Sequence, residues 1–159
     1  MKSREVEQLL AILDQAYNRK SWHGTNLRGS LRRVSPRQAA WRPGPRRHNI
    51  WENVVHAAYW KYAVSRRFVD QPHGSFQYKG SNWFRAPAGL SDRAWRADVA
   101  LLDRVHAVLR GAVTQLSTRQ LFHTPRGKAA SNFTVLSGIA AHDLYHAGQI
   151  QLLKRLCRD

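Results

Sequence analysis

The sequence has one cysteine, few acidic residues and no long apolar run, and each scarcity excludes a class of protein. A single cysteine excludes an intramolecular disulfide, which agrees with a reducing compartment. No stretch approaches the roughly 18 apolar residues of a membrane-spanning helix, and no apolar segment typical of a secretion signal follows the basic N-terminus. We therefore expect a cytoplasmic protein with no membrane partner.

The shortage of acidic residues leaves a large positive charge, because 26 Lys and Arg face only 10 Asp and Glu for a net charge of +16. Such a charge attracts nucleic acid or acidic small molecules through a field that salt screens. The densest basic groups are Arg28, Arg32, Arg33, Arg37, Arg42, Arg46 and Arg47. No known nucleic-acid-binding motif is visible. The charge fits either a solvated arginine-rich surface or a nucleic-acid partner.

The apolar residues predict helices. A chain of 159 residues with 43% hydrophobic content is expected to form one domain over residues 1–159. Apolar residues recur at helical spacing, and strand signals are weak. The predicted helices are 3–18, 49–68, 91–116 and 133–157, with a long connection between the second and the third. This pattern predicts an all-α fold, a four-helix bundle with antiparallel packing.

The same periodicity predicts the core of this bundle. Residues on the apolar face of each helix are expected to pack against the neighbouring helices. The residues expected to be largely buried are Leu9, Leu13, Val55, Tyr62, Leu102, Leu109, Ile139 and Leu152.

Two histidines interrupt the apolar face of the last predicted helix. His142 and His146 are four residues apart, so both rings project from one side of the helix. A buried polar group without a partner costs roughly 1–3 kcal/mol, and a divalent metal bound by both rings would remove that cost. We interpret the pair as metal ligands, with two hydrogen-bonded core histidines as the alternative. Asp143 excludes the His-Glu-x-x-His motif of zinc proteases and is expected to face away from this seam.

A third ligand has two candidates. His56 follows a capping-box-like pair, Asn49 and Glu52, on the second predicted helix and is the better candidate. His106 lies on the apolar stripe of the third helix and is its rival, although a hydrogen-bonded core histidine is the simpler role for it. Cys157 lies about 16 Å along the helix from His146, too far to share a metal.

Several motifs together resemble the DinB family of DNA-damage-inducible proteins, which are four-helix bundles with a three-histidine divalent-metal site. The most specific motif is HDLYHAGQI, residues 142–150. The others, in the family's order, are Trp22-His23-Gly24, Ile50-Trp51-Glu52 leading to residues 55–60, and Asn82-Trp83 before Trp95. The resemblance implies that His56, His142 and His146 bind the metal.

The resemblance also implies a class of function. Relatives in the wider superfamily include thiol S-transferases and isomerases that use bacillithiol or mycothiol. If the chain is an enzyme, we expect a metal-dependent thiol S-transferase with a low-molecular-weight thiol as cosubstrate and a small-molecule substrate. Zinc or nickel is the expected metal, and iron also suits three histidines. The alternatives are a metal-dependent hydrolase and a non-enzymatic stress-response or nucleic-acid-binding protein.

Three further residues are expected near the metal. Glu52 lies one turn before His56 and Gln149 one turn after His146, so each could orient a ligand ring or hold a water molecule. The alternative is that Glu52 only caps its helix and Gln149 bonds a neighbouring helix. Tyr145 is expected to reach the same cavity.

A homodimer is expected, since related bundles commonly form dimers. Trp22, Trp41 and Trp83 lie in connections where a monomer would leave them partly exposed. Exposed aromatic residues are enriched at protein interfaces.

Overall fold

The computed structural model describes residues 3–69, 74–80, 82–87 and 89–157, and within these ranges the regular structure is entirely helical. The helices are α1 (Arg4–Tyr17), α2 (Leu27–Ser30), α3 (Pro36–Ala40), α4 (Ile50–Ser65), α5 (Asp92–Thr114), α6 (Thr118–Phe122) and α7 (Asn132–Leu156). The prediction of an all-α fold is confirmed. Four helices are long, and their ends lie within one turn of the predicted ones.

Each helix begins at a residue whose side chain caps it. The N-cap residues are Ser3, Asn26, Ser35, Asn49, Ser91, Ser117 and Ser131, and each side chain accepts a hydrogen bond from a backbone N–H in the first turn. Such a cap stabilises a helix by about 1 kcal/mol. The predicted capping box of Asn49 and Glu52 is present at the start of α4. It fixes where α4 begins and therefore where His56 lies.

The long helices do not all alternate in direction. Asp14 and Tyr17 of α1 bond Arg110 and Asp103 of α5, so these two helices are antiparallel as expected. Trp51 contacts Trp95 near the start of both α4 and α5. Farther along the same two helices, Lys61 and His106 both contact the ring of Tyr17. The expectation of antiparallel packing is therefore wrong for α4 and α5, which run in the same direction, and the long connection between them returns the chain to the starting end.

The core lies between the long helices in two clusters. Of the eight residues expected to be buried, Leu9, Leu13, Val55, Leu102, Leu109 and Ile139 are buried. Tyr62 is half-buried, and Leu152 is 57% exposed, so the expected face of α7 was wrong at its C-terminal end. Among the described helices, none has the length and apolar character needed to cross a membrane.

Candidate metal centre

Three histidines from two helices converge at one point. Nε2 of His142 lies 3.1 Å from Nε2 of His56 and 3.0 Å from Nε2 of His146. His56 comes from α4, and the other two are one turn apart on α7. His56 and His146 are buried and His142 is half-buried, so the cluster meets solvent beside His142. The three residues form a group whose ring nitrogens could hold one metal ion.

The backbone at Asn82 orients His56. Nδ1 of His56 lies 2.7 Å from the backbone oxygen of Asn82. Because a carbonyl oxygen only accepts, Nδ1 carries the hydrogen and Nε2 keeps its lone pair. Asn82 has a φ of 67°, the left-handed conformation that Asn tolerates better than most residues, and its side chain accepts a hydrogen bond from Trp60. The Trp83 ring then stacks on His56 at 3.9 Å between ring centroids.

Asn53 orients His146 in the same way, by accepting a hydrogen bond from its Nδ1. The Asn53 amide nitrogen donates to the backbone oxygen of Asn49 at 2.7 Å, which fixes which end of the amide is the oxygen. That oxygen, Oδ1, lies 2.7 Å from Nδ1 of His146. Nδ1 of His146 is therefore the donor, and its Nε2 also keeps a lone pair.

Burial keeps the three imidazoles neutral at physiological pH. Loss of solvation lowers the pKa of His56 below its usual range. It lowers the pKa of His142 to about 4, helped by the nearby His56 and Lys61. It lowers the pKa of His146 to about 3, helped by His142 and His56 and opposed by Gln149. Neutral imidazole is the form that binds a metal.

Because the hydrogens of His56 and His146 are on Nδ1, the three Nε2 atoms have too few hydrogens to bond one another. The lone pairs of His56 and His146 both lie about one hydrogen-bond length from Nε2 of His142. One hydrogen on that nitrogen can serve only one of the two, so at least one lone pair remains unsatisfied. A divalent cation would accept all three lone pairs at once, and histidine nitrogens suit zinc, nickel and iron. The residues present therefore fit a metal ion.

The other predicted site residues, Glu52, Tyr145 and Gln149, have different surroundings in the structure. Glu52 bonds Arg42, His48 and the backbone of Asn49, and no bond between its carboxylate and His56 is present in the described structure. Tyr145 is 63% exposed, and its ring lies 5.1 Å from that of His146. The side-chain oxygen of Gln149 is buried without a hydrogen-bond partner among the described residues.

His106, the rival ligand, lies outside the cluster. It stacks on Tyr17 with 3.7 Å between ring centroids, and its ring nitrogens are buried without partners in the described part of the chain. Burial lowers its pKa to about 3. Cys157 is also absent from the cluster, as its distance along α7 predicted.

Sequence reasoning missed the residues that orient the histidines. Asn53 lies three residues before His56, on a neighbouring face of α4, and such an amide on a buried helix is itself a signal. In the sequence, Asn82 stands out only within a family motif, and Trp83 only there and as a loop tryptophan expected to be partly exposed. Their action on His56 depends on the path of a long loop, which periodicity does not describe.

Comparisons with known proteins agree with this architecture. A family model described as the DinB superfamily matches residues 20–150, well over half of the chain. Searches of curated proteins and of solved structures gave no match. The matched range includes all three histidines, and also Asn82 and Asn53, which accept the Nδ1 hydrogens of His56 and His146. The chain therefore belongs to the DinB superfamily.

Proposed function

We propose that the protein binds one divalent metal ion through Nε2 of His56, His142 and His146. The convergence of these three nitrogens, with the Nδ1 atoms of His56 and His146 bonded to oxygen acceptors, supports the proposal most strongly. Ligating histidines usually donate their other ring N–H to such an acceptor, which fixes the tautomer and the ring orientation.

We further propose that the site serves a metal-dependent transferase acting on a small thiol. A divalent cation held by the three histidines would lower the pKa of a coordinating thiol or water and so supply a nucleophile at neutral pH. The chain supplies three neutral protein ligands, the number typical of catalytic zinc sites that keep an open position. His142 leaves one side of the cluster accessible. The aromatic rings of Trp83 and Tyr145 border the cluster and would shield it in part from water.

Metal analysis tests the binding proposal. Protein purified without an affinity tag should contain about one metal ion per chain, and His56→Ala, His142→Ala and His146→Ala should each lose it. His106→Leu is the matched control, because it removes a buried histidine of α5 that lies outside the cluster. Full metal content in His56→Ala with loss in His106→Leu would show that the third ligand is wrongly assigned.

A screen of small thiols against electrophiles tests the transferase proposal. The metal-loaded protein should consume thiol and electrophile together, and chelation or His142→Ala should abolish the reaction. Metal binding without turnover of any pair, together with hydrolysis of an ester or amide substrate, would instead favour the hydrolase alternative. Helical circular dichroism of each variant shows whether it remains folded.

A further inference from the structure

A basic cavity lies beside the three-histidine cluster. Its volume is about 570 Å³, within the usual range for small-molecule sites. Four arginines line it: Arg42 and two neighbours, Arg46 and Arg47, from the connection between α3 and α4, and Arg85 from the connection between α4 and α5. The wall is completed by side chains that include His48, Glu52 and Trp83.

One arginine is occupied in building the cavity. Arg42 forms a two-pronged ion pair with Glu52 and also donates to the backbone oxygen of Arg47 at 2.6 Å. Burial by itself would raise the pKa of Glu52, but the bonds from Arg42 and His48 outweigh it and lower that pKa. Glu52 is therefore ionised at neutral pH, and the connection carrying Arg46 and Arg47 is held against the start of α4.

The other three arginines have no such partner. Arg46, Arg47 and Arg85 are exposed, and the ion pairs found among the described residues include none of them. Four guanidinium groups thus face one carboxylate, and that carboxylate is already engaged. Guanidinium groups bind carboxylate and phosphate through paired N–H donors. A concave surface with this excess of donors fits an oxyanion.

Trp83 joins this cavity to the histidine cluster. Its ring is nearly parallel to both His48 and His56, with centroid distances of 3.6 and 3.9 Å. Two rings this close to one indole and parallel to it must lie on opposite faces. His48 therefore lies on the cavity side of Trp83 and the candidate ligand His56 on the other. One side chain separates the arginines from the cluster.

We propose that the cavity binds the carboxylate or phosphate group of a small anionic molecule beside the metal centre. Binding of the anion by the arginines stands independently of the metal, whereas the assignment of the anion to a substrate rests on the proposed function. A small molecule is favoured over nucleic acid because the donors line a concavity of limited volume, while the remaining basic residues are spread over the chain.

The experiment follows the Trp83 indole N–H signal in ¹⁵N-labelled protein, assigned by its absence in Trp83→Phe. Inorganic phosphate and succinate are titrated separately at constant ionic strength. The signal should shift and saturate with at least one of them. The triple variant Arg46→Gln, Arg47→Gln, Arg85→Gln should lose at least about tenfold in affinity, since each charged hydrogen bond contributes substantially. Arg85→Gln alone should show a smaller loss if the triple variant does not fold.

The matched control removes the same charge elsewhere. Arg93, Arg104 and Arg119 are exposed on α5 and α6, and the triple glutamine variant at these positions should bind both anions within about twofold of the parent. Equal losses in the two triple variants would overturn the proposal, because the parent would then attract anions only by net charge. No saturable shift with either anion would also overturn it.

Two further arms separate the anion site from its neighbours. His142→Ala should bind the anion as the parent does even if it loses metal, so failure of the metal proposal leaves this result readable. Loss of anion binding in His142→Ala would place the anion on the metal and refute the assignment of the anion to the cavity.

Titration with a short DNA duplex should show no selective dependence on the three cavity arginines. A selective loss of DNA binding, without loss of phosphate or succinate binding, would assign the arginines to a nucleic-acid surface.

Discussion

Two groups of buried polar side chains link α4 to α7, and they differ in how completely the protein satisfies them. Lys61 of α4 and Asp143 of α7 form an ion pair with side chains 0% and 1% exposed, and Nζ of Lys61 also lies 4.9 Å from the centre of the Tyr17 ring. The histidine cluster, next to Asp143 in the chain, has neutral rings whose lone pairs converge without enough hydrogens. The ion pair is closed in the sense that each charge has its partner within the protein, although Oδ1 of Asp143 has no hydrogen-bond partner among the described residues. The cluster is open, because only a bound ligand would complete it. Buried polar groups therefore indicate a ligand site where several unpaired atoms converge on one point, as the three Nε2 atoms do.

The largest effect is expected from opening the closed pair. Asp143→Ala leaves the Lys61 charge buried and unpaired, and should destabilise the fold by about 3–5 kcal/mol. The double variant Lys61→Met, Asp143→Leu removes both charges and should recover most of that stability, because burial of two apolar side chains carries no comparable desolvation cost. Urea unfolding of metal-free protein measures both values. Equal destabilisation by the single and double variants would contradict this account and point to packing as the cause.

The next effect concerns the residue that orients a ring of the open cluster. Asn53→Ala removes the acceptor of the Nδ1 hydrogen of His146 and should weaken metal binding by about 10–100-fold. Asn26→Ala is a matched control, since Asn26 is also a buried helix-associated amide but caps α2. It should cost stability and leave metal affinity unchanged. Competition with a chelator of known affinity measures the difference between the two variants.

The sequence predicted those parts of the molecule that follow from spacing along a helix. The ends of the long helices, the capping box at Asn49 and the approach of His142 to His146 are all local properties. Helical spacing placed Asp143 away from the histidine seam and gave it no partner, because spacing does not show which residue of another helix it meets. In a bundle a helix can be buried on several sides, and the partner of Asp143 is Lys61, 82 positions away in the chain.

The action of Asn82 on His56 was unpredictable for a different reason. It depends on a backbone oxygen and a left-handed φ within the connection between α4 and α5, where no periodic pattern applies. The parallel direction of α4 and α5 has the same origin, since the length of that connection permits either direction. Spacing thus predicted the ligand-bearing helices but not the loop that orients His56.

The free energy of unfolding should depend on pH through His106, which lies outside the histidine cluster. Burial and the nearby Lys61 and Arg110 lower its pKa to about 3, with Asp14 opposing them. The unfolded chain takes up a proton below about pH 6.5 and the folded chain does not, so stability falls as the pH drops from about 6.5 towards 3. This single group should cost about 2 kcal/mol at pH 5.

His106→Leu removes that contribution. The variant should lose about 2 kcal/mol less stability than the parent between pH 7.5 and pH 5, measured by urea unfolding of both proteins without metal. The other histidines titrate in both proteins and cancel in the comparison. An identical loss in the two proteins would show that His106 is protonated as readily in the folded chain as in the unfolded one.

The smallest effect is expected at Gln149, about one turn beyond His146 on α7. Its side-chain oxygen is buried without a hydrogen-bond partner among the described residues, and the residue lies close enough to His146 to oppose the lowering of that pKa. Gln149→Ala should weaken metal binding by roughly several-fold, less than Asn53→Ala does, because Asn53 holds the hydrogen of the ring directly. Gln151→Ala is the control, since Gln151 bonds Thr25 at the surface. Unchanged metal affinity in Gln149→Ala, with reduced stability to urea, would assign Gln149 to helix packing alone.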